Sequence, residues 1–440
     1  MTFAGRRVEQ SDTWSDGCAR RSSAARSPMR FREGVFTPGS PPLRPPLPPR
    51  RDARHPGGPP GHGAGEGETF GMRRVFGVLA ALALLAGVGV ALLWPGDEPD
   101  GSDGVVTISG LIGSEKREFF ADPDVVAELQ KQGLKVTTDT TGSWLMGESD
   151  LAKYDFAFPA SLSPAEEIRK QRQIKSEPVR PFYSPLVVLA HRSMADVLKE
   201  NGLAGQSSSE PAVWTLKMDA YLKAVQEGRK WQDLKGAGSH NELRGLLFLT
   251  TTDPSTSSSG ALYLAAISYL ANGHQVVSDD AGVGAVKDVV RQVTSVQGDQ
   301  KTSSDGPFKD FLSGVGNGPV LAYESQMAAL TAKGVSTPGG SAGDLVVLYP
   351  DTTVFSDHTL VALKPGAEKL AAVLRDDQVL RDLEAKYGFR PQADPGALGK
   401  AVKGRQGPAY ASDLAAAGVQ QAQVPTVAVL NKLINAAKGK

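Results

Sequence analysis

A run of twenty residues without a charge, residues 75–94, constrains this chain of 440 residues more than any other feature. At a rise of 1.5 Å per residue, a helix of this length spans about 30 Å, the thickness of the hydrocarbon core of a bilayer. Arg73 and Arg74 precede the run, Trp94 ends it at an interfacial position, and acidic residues follow. The positive-inside rule therefore predicts a single-pass anchor over 72–96 in the cell membrane, with the N-terminus cytoplasmic and the C-terminal part extracellular.

A cleaved signal peptide is the alternative interpretation of this run. Signal peptides have a shorter apolar region and a small-x-small cleavage site, and the sequence here shows neither clearly. The only cysteine is Cys18, so a lipid cannot be attached after the run by the lipoprotein route. We therefore favour an uncleaved signal anchor that connects the chain to the membrane.

Residues 1–71 contain 11 Pro, 11 Gly and 11 Arg and no Lys. This composition cannot bury enough apolar surface to offset chain entropy, so we expect a disordered tail. The tail could serve as a cytoplasmic Pro-rich ligand. The alternative is that it is not translated and that the protein starts at Met72, which directly precedes the basic pair and the apolar run.

Charge and cysteine content exclude several classes of function. Lys and Arg together number 48, as do Asp and Glu, so the formal net charge is zero and the basic excess of a nucleic-acid binder is missing. A single cysteine excludes an intramolecular disulfide, zinc ribbons and iron–sulfur clusters. The six histidines have none of the spacings that metal motifs require. We expect no metal, no cofactor and no nucleic-acid partner.

Strands and helices alternate after the anchor. Strands are predicted at 105–109, 134–140, 154–161 and 181–191, with a helical stretch at 115–132 that Pro123 interrupts and another helix at 164–173. This order predicts an α/β domain with a largely parallel sheet. Ligands of such sheets bind at the carboxyl ends of the strands, where the loops 110–114, 141–143 and 159–161 would lie.

The most informative segment is 246–273. A buried strand is predicted at 246–250, a hydroxyl-rich loop at 251–260 and an Ala-rich helix at 261–271. The loop would lie at the positive end of the helix dipole and could hold an anionic or polar group without Lys or Arg. The alternative is that its hydroxyls only cap the helix and form a tight turn.

The rest of the chain continues the alternation of strands and helices. A strand, a polar turn and a helix are predicted within 317–326. Two strands and two helices, 368–374 and 377–387, follow, and a terminal helix is expected near 424–434.

The order of these elements resembles the extracellular solute-binding proteins with the type II periplasmic-binding fold. The resemblance covers about 105–391 and rests on five segments: 108–116, 154–161, 251–260, 345–363 and 372–391. It implies two α/β lobes with a hinge and an interlobe ligand cleft. The boundaries would be a linker at 97–104, a first lobe from 105–185 and 345–391, a second lobe at 186–344 and a C-terminal extension at 392–440.

The candidate ligand-binding residues come from the loops and strand ends that this arrangement would bring together. Asp253 could instead shape a turn, and Tyr183 and Tyr323 could instead pack within the lobes. The candidates are Gly113, Ser114, Ser143, Ser161, Tyr183, Asp253, Ser255, Thr256, Ser257, Ser258, Tyr323 and Glu324.

The sequence leaves three functions open. The first is a membrane-anchored solute-binding protein that captures a small polar or anionic solute and delivers it to an importer permease. The second is an envelope sensor or scaffold that keeps the fold without transport. The third is a serine hydrolase, suggested by the G-x-S-x-G pattern around Ser341. A nucleophile elbow needs a strand before it and a helix after it, whereas a strand follows here, so we expect no enzyme activity.

Overall fold

The computed structural model describes residues 104–241, 243–316, 318–335 and 344–440. The predicted tail, the membrane anchor at 72–96 and the loop around Ser341 lie outside these residues. Within the described part of the chain, no helix combines the length and the hydropathy needed to cross a membrane.

Twelve strands are formed within the described residues. They are β1 (Val106–Gly113), β2 (Leu134–Thr141), β3 (Phe156–Phe158), β4 (Val179–His191), β5 (Ala204–Gln206), β6 (Trp214–Leu216), β7 (Val320–Tyr323), β8 (Leu345–Pro350), β9 (Thr352–Thr353), β10 (Phe355–Ala362), β11 (Arg390–Pro391) and β12 (Gln420–Gln421).

The helices of the described residues surround these strands. They are α1 (Arg117–Ala121), α2 (Pro123–Lys131), α3 (Leu162–Gln171), α4 (Arg192–Glu200), α5 (Met218–Gln226), α6 (Ser258–Ala271), α7 (Asp280–Ser295), α8 (Asp305–Leu312), α9 (Glu324–Ala332), α10 (Gly366–Asp376), α11 (Gln378–Lys386), α12 (Ala397–Val402) and α13 (Val427–Ala437). Short 3-10 turns occur at Ser114–Lys116, Ser143–Glu148, Leu151–Lys153, Trp231–Asp233 and Ala237–Ser239.

The predicted break at Pro123 is confirmed. Asp122 precedes it, and the Asp122 side chain accepts a hydrogen bond from the backbone N–H of Asp124. Proline is tolerated in the first turn of a helix because its missing N–H would have no helical partner there. The predicted stretch therefore divides into a 3-10 turn and two helices.

One strand, β4, belongs to both halves of the sheet. The sheet order is β2-β1-β3-β10-β4-β8-β6-β5, and β7 and β11 also pair with β4. The N-terminal part of β4 pairs with β10 up to Pro185. Its C-terminal part, from Leu186, pairs with β7 and β8. The changeover falls at a residue without a backbone N–H. We call the strands β1–β3 and β10, with the helices and loops packed on them, the first half, and β5–β8, with the helices and loops packed on them, the second half.

The expectation of a largely parallel sheet is wrong. β1 pairs in parallel with β2 and β3, and β6 with β8, but β10 is antiparallel to both β3 and β4. β4 is also antiparallel to β7 and β8. These pairs are antiparallel because the chain returns through the centre of the sheet as β10. The alternation of strands and helices along the sequence does not show such a return.

Two further expectations are corrected. The predicted strand 246–250 makes only single bridges at Leu246 and Thr250, and in between the backbone N–H of Leu249 donates to the Tyr221 hydroxyl at 3.0 Å. A side chain thus takes the place of a neighbouring strand. The predicted return to the first lobe at residue 345 is too early, because β8 pairs with β4 and β6 in the second half.

Each half has its own apolar core. Phenylalanines and leucines form most of the core of the first half, where Phe182 of β4 stacks on Phe389 with ring centroids 4.2 Å apart. The largest core of the second half surrounds α6, which is buried almost throughout. The C-terminal helix α13 buries Leu430 and Leu433 in that same core, so the end of the chain is part of the folded body.

Candidate functional site

The two halves meet through hydroxyl groups. The Ser161 hydroxyl, at the start of α3 in the first half, donates to the Ser258 hydroxyl, at the start of α6 in the second half, at 3.0 Å. Both residues are buried. Beside them the Ser143 hydroxyl accepts from the backbone N–H of Ala160 at 3.0 Å. The structure therefore brings together three serines that the sequence analysis placed in separate loops.

A chain of hydroxyls continues into the second half. The Ser259 hydroxyl lies 3.0 Å from that of Ser257 and 2.8 Å from that of Thr252, and all three residues are buried. These groups surround the N-terminus of α6, a helix of 14 residues. Hydroxyls both donate and accept hydrogen bonds, so the chain can serve either kind of group on a solute. We call Ser143, Ser161 and Ser257–Ser259 the serine cluster.

Asp253 shapes the loop before α6. Its Oδ1 accepts from the backbone N–H of Ser255 at 2.8 Å and from the Ser255 hydroxyl at 2.6 Å. Its Oδ2 accepts from Lys438 at 2.6 Å. Burial alone would raise the pKa of the Asp253 carboxyl, but the hydrogen bonds from Lys438 and Ser255 lower it. The Asp253 carboxylate therefore has partners within the protein, as the turn interpretation expects.

On the other side of this loop, Thr256 contacts the first half. Its carbonyl oxygen accepts from the backbone N–H of Trp144 at 3.3 Å. A Cβ on Gly142 would lie 2.3 Å from the same oxygen. The two backbones approach this closely because residue 142 has no side chain.

Three buried ionisable side chains lie next to the serine cluster. Lys116 and Glu115 form an ion pair, and their side chains are 0% and 4% exposed. The Lys116 ammonium lies 3.1 Å from His358 Nδ1 and 4.8 Å from the centre of the Phe158 ring. We call Glu115, Lys116 and His358 the charged triad. It joins the loop after β1 to the central strand β10.

Burial and the contacts within the triad shift the pKa of each of its three groups. Burial and the neighbouring Lys116 lower the pKa of His358 to about 4, so the imidazole is neutral. Burial raises the pKa of the Glu115 carboxyl, but Lys116 and His358 more than reverse this, and the carboxyl is ionised. Burial lowers the pKa of Lys116, and the adjacent Glu115 opposes that shift. His358 Nε2 is buried and has no hydrogen-bond partner among the described residues.

Tyr323 connects the triad to the serine cluster. Its ring centre lies 5.7 Å from that of His358, and its hydroxyl lies close to Ser259 and Ser356, which lower its pKa. Burial raises the pKa of the Tyr323 hydroxyl well above its ordinary range, so the group stays protonated. Gly113 and Ser114 lie at the other end of the triad, and a Cβ on Gly113 would lie 2.4 Å from the Glu115 carboxylate. The close approach of this carboxylate to the backbone requires a glycine.

Two of the predicted ligand-binding residues, Glu324 and Tyr183, contact other side chains of the protein. The Glu324 carboxylate accepts from Arg390 at 2.7 and 2.8 Å and from the Tyr349 hydroxyl, all buried. Tyr183 stacks on Phe355, with ring centres 5.8 Å apart. Neither side chain is joined by these contacts to the serine cluster.

A groove of about 830 Å³ opens beside Ser161. Side chains of α3, the start of β10, α6 and the segment before α13 form its walls. Its lining residues are Ser161, Leu162, Ser163, Glu166, Leu262, Val276, Val354, Phe355, Asp357, Gln421, Ala422, Gln423, Val424, Pro425, Thr426 and Val427. The volume is in the range of small-molecule sites. Among the described residues, no group of three or more His, Cys, Asp or Glu is placed to hold a metal ion.

Comparison with known proteins finds similarity at the level of solved structures. No protein-family model and no curated protein matches the chain. The sulfate-binding protein SubI from Mycobacterium tuberculosis is 16% identical, with a TM-score of 0.44 over 71% of this chain and 96% of that one. A periplasmic thiamin binding protein is 11% identical, with a TM-score of 0.49 over 78% and 99%. A Bordetella ferric binding protein is 14% identical, with a TM-score of 0.41 over 76% and 97%.

The two α/β halves, joined through β4 and β10, have the arrangement that the sequence resemblance implied. In this arrangement the serine cluster and the charged triad occupy the junction between the two halves. The similarities to solved structures leave the ligand open.

The charged triad is what the sequence analysis missed. The sequence predicted Glu115 and Lys116 only as part of a helical stretch and of the segment 108–116, and His358 only as one of six histidines without metal-motif spacing. Lys116 and His358, which are in contact, are 242 residues apart along the chain. The available signal was the adjacency of Glu115 and Lys116 to a glycine at the end of a buried strand.

Proposed function

We propose that this chain captures a small polar solute between the two halves of its type II fold. The observation that carries the proposal is the buried contact between the Ser161 and Ser258 hydroxyls, one from each half. Buried polar groups cost free energy unless they are hydrogen-bonded, and a purely structural interface is more readily built from apolar residues. A serine-rich interior between two halves suits a site that exchanges these hydrogen bonds with a solute.

The connections between the halves support this function. β4 continues from one half into the other, and β8 of the second half leads through β9 into β10 of the first. Hinge bending at such shared strands is a common response to a ligand that contacts both halves. A solute that replaces the Ser161–Ser258 contact would therefore change the distance between the halves.

The sequence supports a proposal on location and partner. The charge-free run 75–94 would anchor the chain in the cell membrane, with the solute-binding part outside and an importer permease as its partner. Deletion of 75–94 tests the anchor by membrane fractionation. We expect the intact chain with the membranes and the deleted chain in the soluble fraction.

The solute site is tested with the purified full chain. We expect native mass spectrometry or thermal shift against a panel of sugars, zwitterions and oxyanions to identify at least one solute that binds. Ser258→Ala should weaken binding of that solute roughly fivefold, since one ordinary hydrogen bond contributes about 1 kcal/mol. Ser268→Ala, a buried serine of the same helix that bonds to the Ala265 carbonyl, is the matched control. Equal affinities in both variants would remove the serine cluster from the site.

A sensor or scaffold role is the second candidate, and α13 favours it. The Trp144 indole in the first half donates to the Asn431 side chain of α13 at 3.1 Å, while Lys438 after α13 pairs with Asp253 in the second half. These contacts tie the two halves together independently of the hinge. If solutes bind without any change in hydrogen exchange at residues 142–149, the scaffold role becomes the better explanation.

A further inference from the structure

The charged groups of the proposed solute site are paired with one another. Lys116 contacts the Glu115 carboxylate, His358 Nδ1 and the face of the Phe158 ring. These three neighbours surround the ammonium group, and the Glu115 carboxylate carries the opposite charge. The Lys116 charge is therefore neutralised by Glu115 and is not directed at the serine cluster.

The other charged groups around the junction also provide little attraction for an anion. Asp253 is paired with Lys438 at 2.6 Å. In the second half, burial raises the pKa of the Asp305 carboxyl, Lys309 at 3.7 Å lowers it, and the charge of Glu115 raises it. Arg117 lies near the same carboxyl, but its side chain donates to the Thr140 hydroxyl on its own half. Lys438, Lys309 and Arg117, the cations of these contacts, thus each have a partner within the protein.

The neutral groups of the site have mixed hydrogen-bonding character. The serine cluster and the Tyr323 hydroxyl can each donate and accept. An anion needs donors only, whereas a sugar or polyol hydroxyl needs both donors and acceptors. An anion buried here would also be an uncompensated charge, which is costly away from water.

We propose that the site between the halves takes an uncharged, hydroxyl-bearing solute, and that Glu115 excludes anions by neutralising Lys116. This inference rests on the proposed solute-binding function and narrows it to one chemical class. Glu115 is thereby a specificity-determining residue of the site.

The first test compares two classes of solute on the full chain by isothermal titration calorimetry. The uncharged probes are D-glucose, trehalose, myo-inositol and glycerol, and the anions are sulfate and phosphate, at constant ionic strength. We expect binding of at least one uncharged probe and weaker or no binding of both anions. An anion that binds more tightly than every uncharged probe overturns the inference and leaves the proposed function standing. Binding of neither class overturns the inference, and the proposed function falls as well if no zwitterion of the wider panel binds.

The second test changes the charge of the triad. Glu115→Gln leaves the Lys116 charge unpaired, and we expect sulfate affinity to rise roughly tenfold or more, since a buried charge a few ångströms from an anion attracts it strongly. Glu118→Gln is the matched control: this carboxylate is 74% exposed and pairs with Lys333, so sulfate affinity should stay unchanged. No gain in Glu115→Gln overturns the role assigned to Glu115.

A double variant tests the role of Glu115 in case Glu115→Gln alone does not fold. Glu115→Gln with Lys116→Met removes both charges and restores neutrality, so the uncharged probe should still bind and sulfate should not gain. Circular dichroism and thermal melts identify any variant that does not fold. If Glu115→Gln alone fails to fold, a gain of sulfate affinity in the double variant overturns the role of Glu115, and the absence of a gain supports it.

Discussion

An added methyl group at residue 142 should separate the two halves. The backbone of Gly142 has φ −63° and ψ 128°, which alanine adopts without strain. Its Cβ, however, would lie 2.3 Å from the carbonyl oxygen of Thr256 and 3.2 Å from that of Thr302. Both obstacles are backbone atoms of the other half, so they cannot be relieved by a side-chain rotation. Gly142→Ala therefore acts on the contact between the halves and leaves the fold of each half intact.

The expected magnitude follows from the cost of overpacking. Inserting a methyl group into a filled space typically costs about 1–3 kcal/mol. This corresponds to a shift of roughly five- to 150-fold toward separated halves. The amide of Trp144 reports the shift directly, because it donates across the junction to the Thr256 carbonyl. We expect hydrogen exchange at residues 142–149 to accelerate by that factor.

The assay is hydrogen exchange read by mass spectrometry, with peptides over 142–149 and 251–260. Gly147→Ala is the matched control in the same 3-10 turn, since its Cβ would meet the mobile end of Gln171 at 3.3 Å. Exchange in the control should match the wild type. Unchanged exchange in Gly142→Ala, in a chain that melts as a folded protein, would refute the reasoning.

Three further predictions concern buried charges. Burial raises the pKa of the Glu384 carboxyl far above 4.5, so the folded state binds the proton and loses stability as pH rises above that value. Glu384→Gln should remove this pH dependence, which lowers the free energy of unfolding of the wild type by up to about 1.4 kcal/mol per pH unit. Arg390→Met leaves the Glu324 carboxylate buried without its ion-pair partner, which should cost about 3–5 kcal/mol in urea unfolding. Lys438→Met removes the ion-pair partner of Asp253 and so loosens the loop before α6. We expect this substitution to weaken solute binding about fivefold, as measured by calorimetry.

Each of these predictions has a control. Lys400→Met breaks an exposed pair with Asp394 and should change urea unfolding little, in contrast to Arg390→Met. Lys432→Met breaks an exposed pair between α13 and Asp280 of α7 and should leave solute affinity unchanged. A melting temperature of the wild type that stays constant between pH 4.5 and 8 would contradict the account of Glu384.

The predictions made from sequence were most accurate where the cause is local. The break at Pro123, the end of α6 near Gly273 and the helices around 368–387 follow from chain chemistry within a few residues. Gly273 has φ +66°, the left-handed conformation that glycine adopts easily at the end of a helix. Local chemistry also placed the hydroxyl-rich loop directly before a buried helix.

Pairings between distant segments could not be predicted from the sequence. The direction of β10 and the place of β8 depend on strand partners more than a hundred residues away. The segment 246–250 has the composition of a buried strand, yet the Tyr221 hydroxyl satisfies the Leu249 amide in place of a neighbouring strand. Glu324 follows a strand end as a ligand residue would, and only the fold shows Arg390 beside it.

The sequence by itself determined the alternation of strands and helices, the charge-free run and the serines of the candidate site, because periodicity and composition are properties of neighbouring residues. The tertiary structure decided that Ser161 meets Ser258 and that Glu115 and Lys116 meet His358. Such contacts depend on how the halves pack, and burial then sets which of these groups are charged. The ionic character of the site is therefore a property of the folded chain.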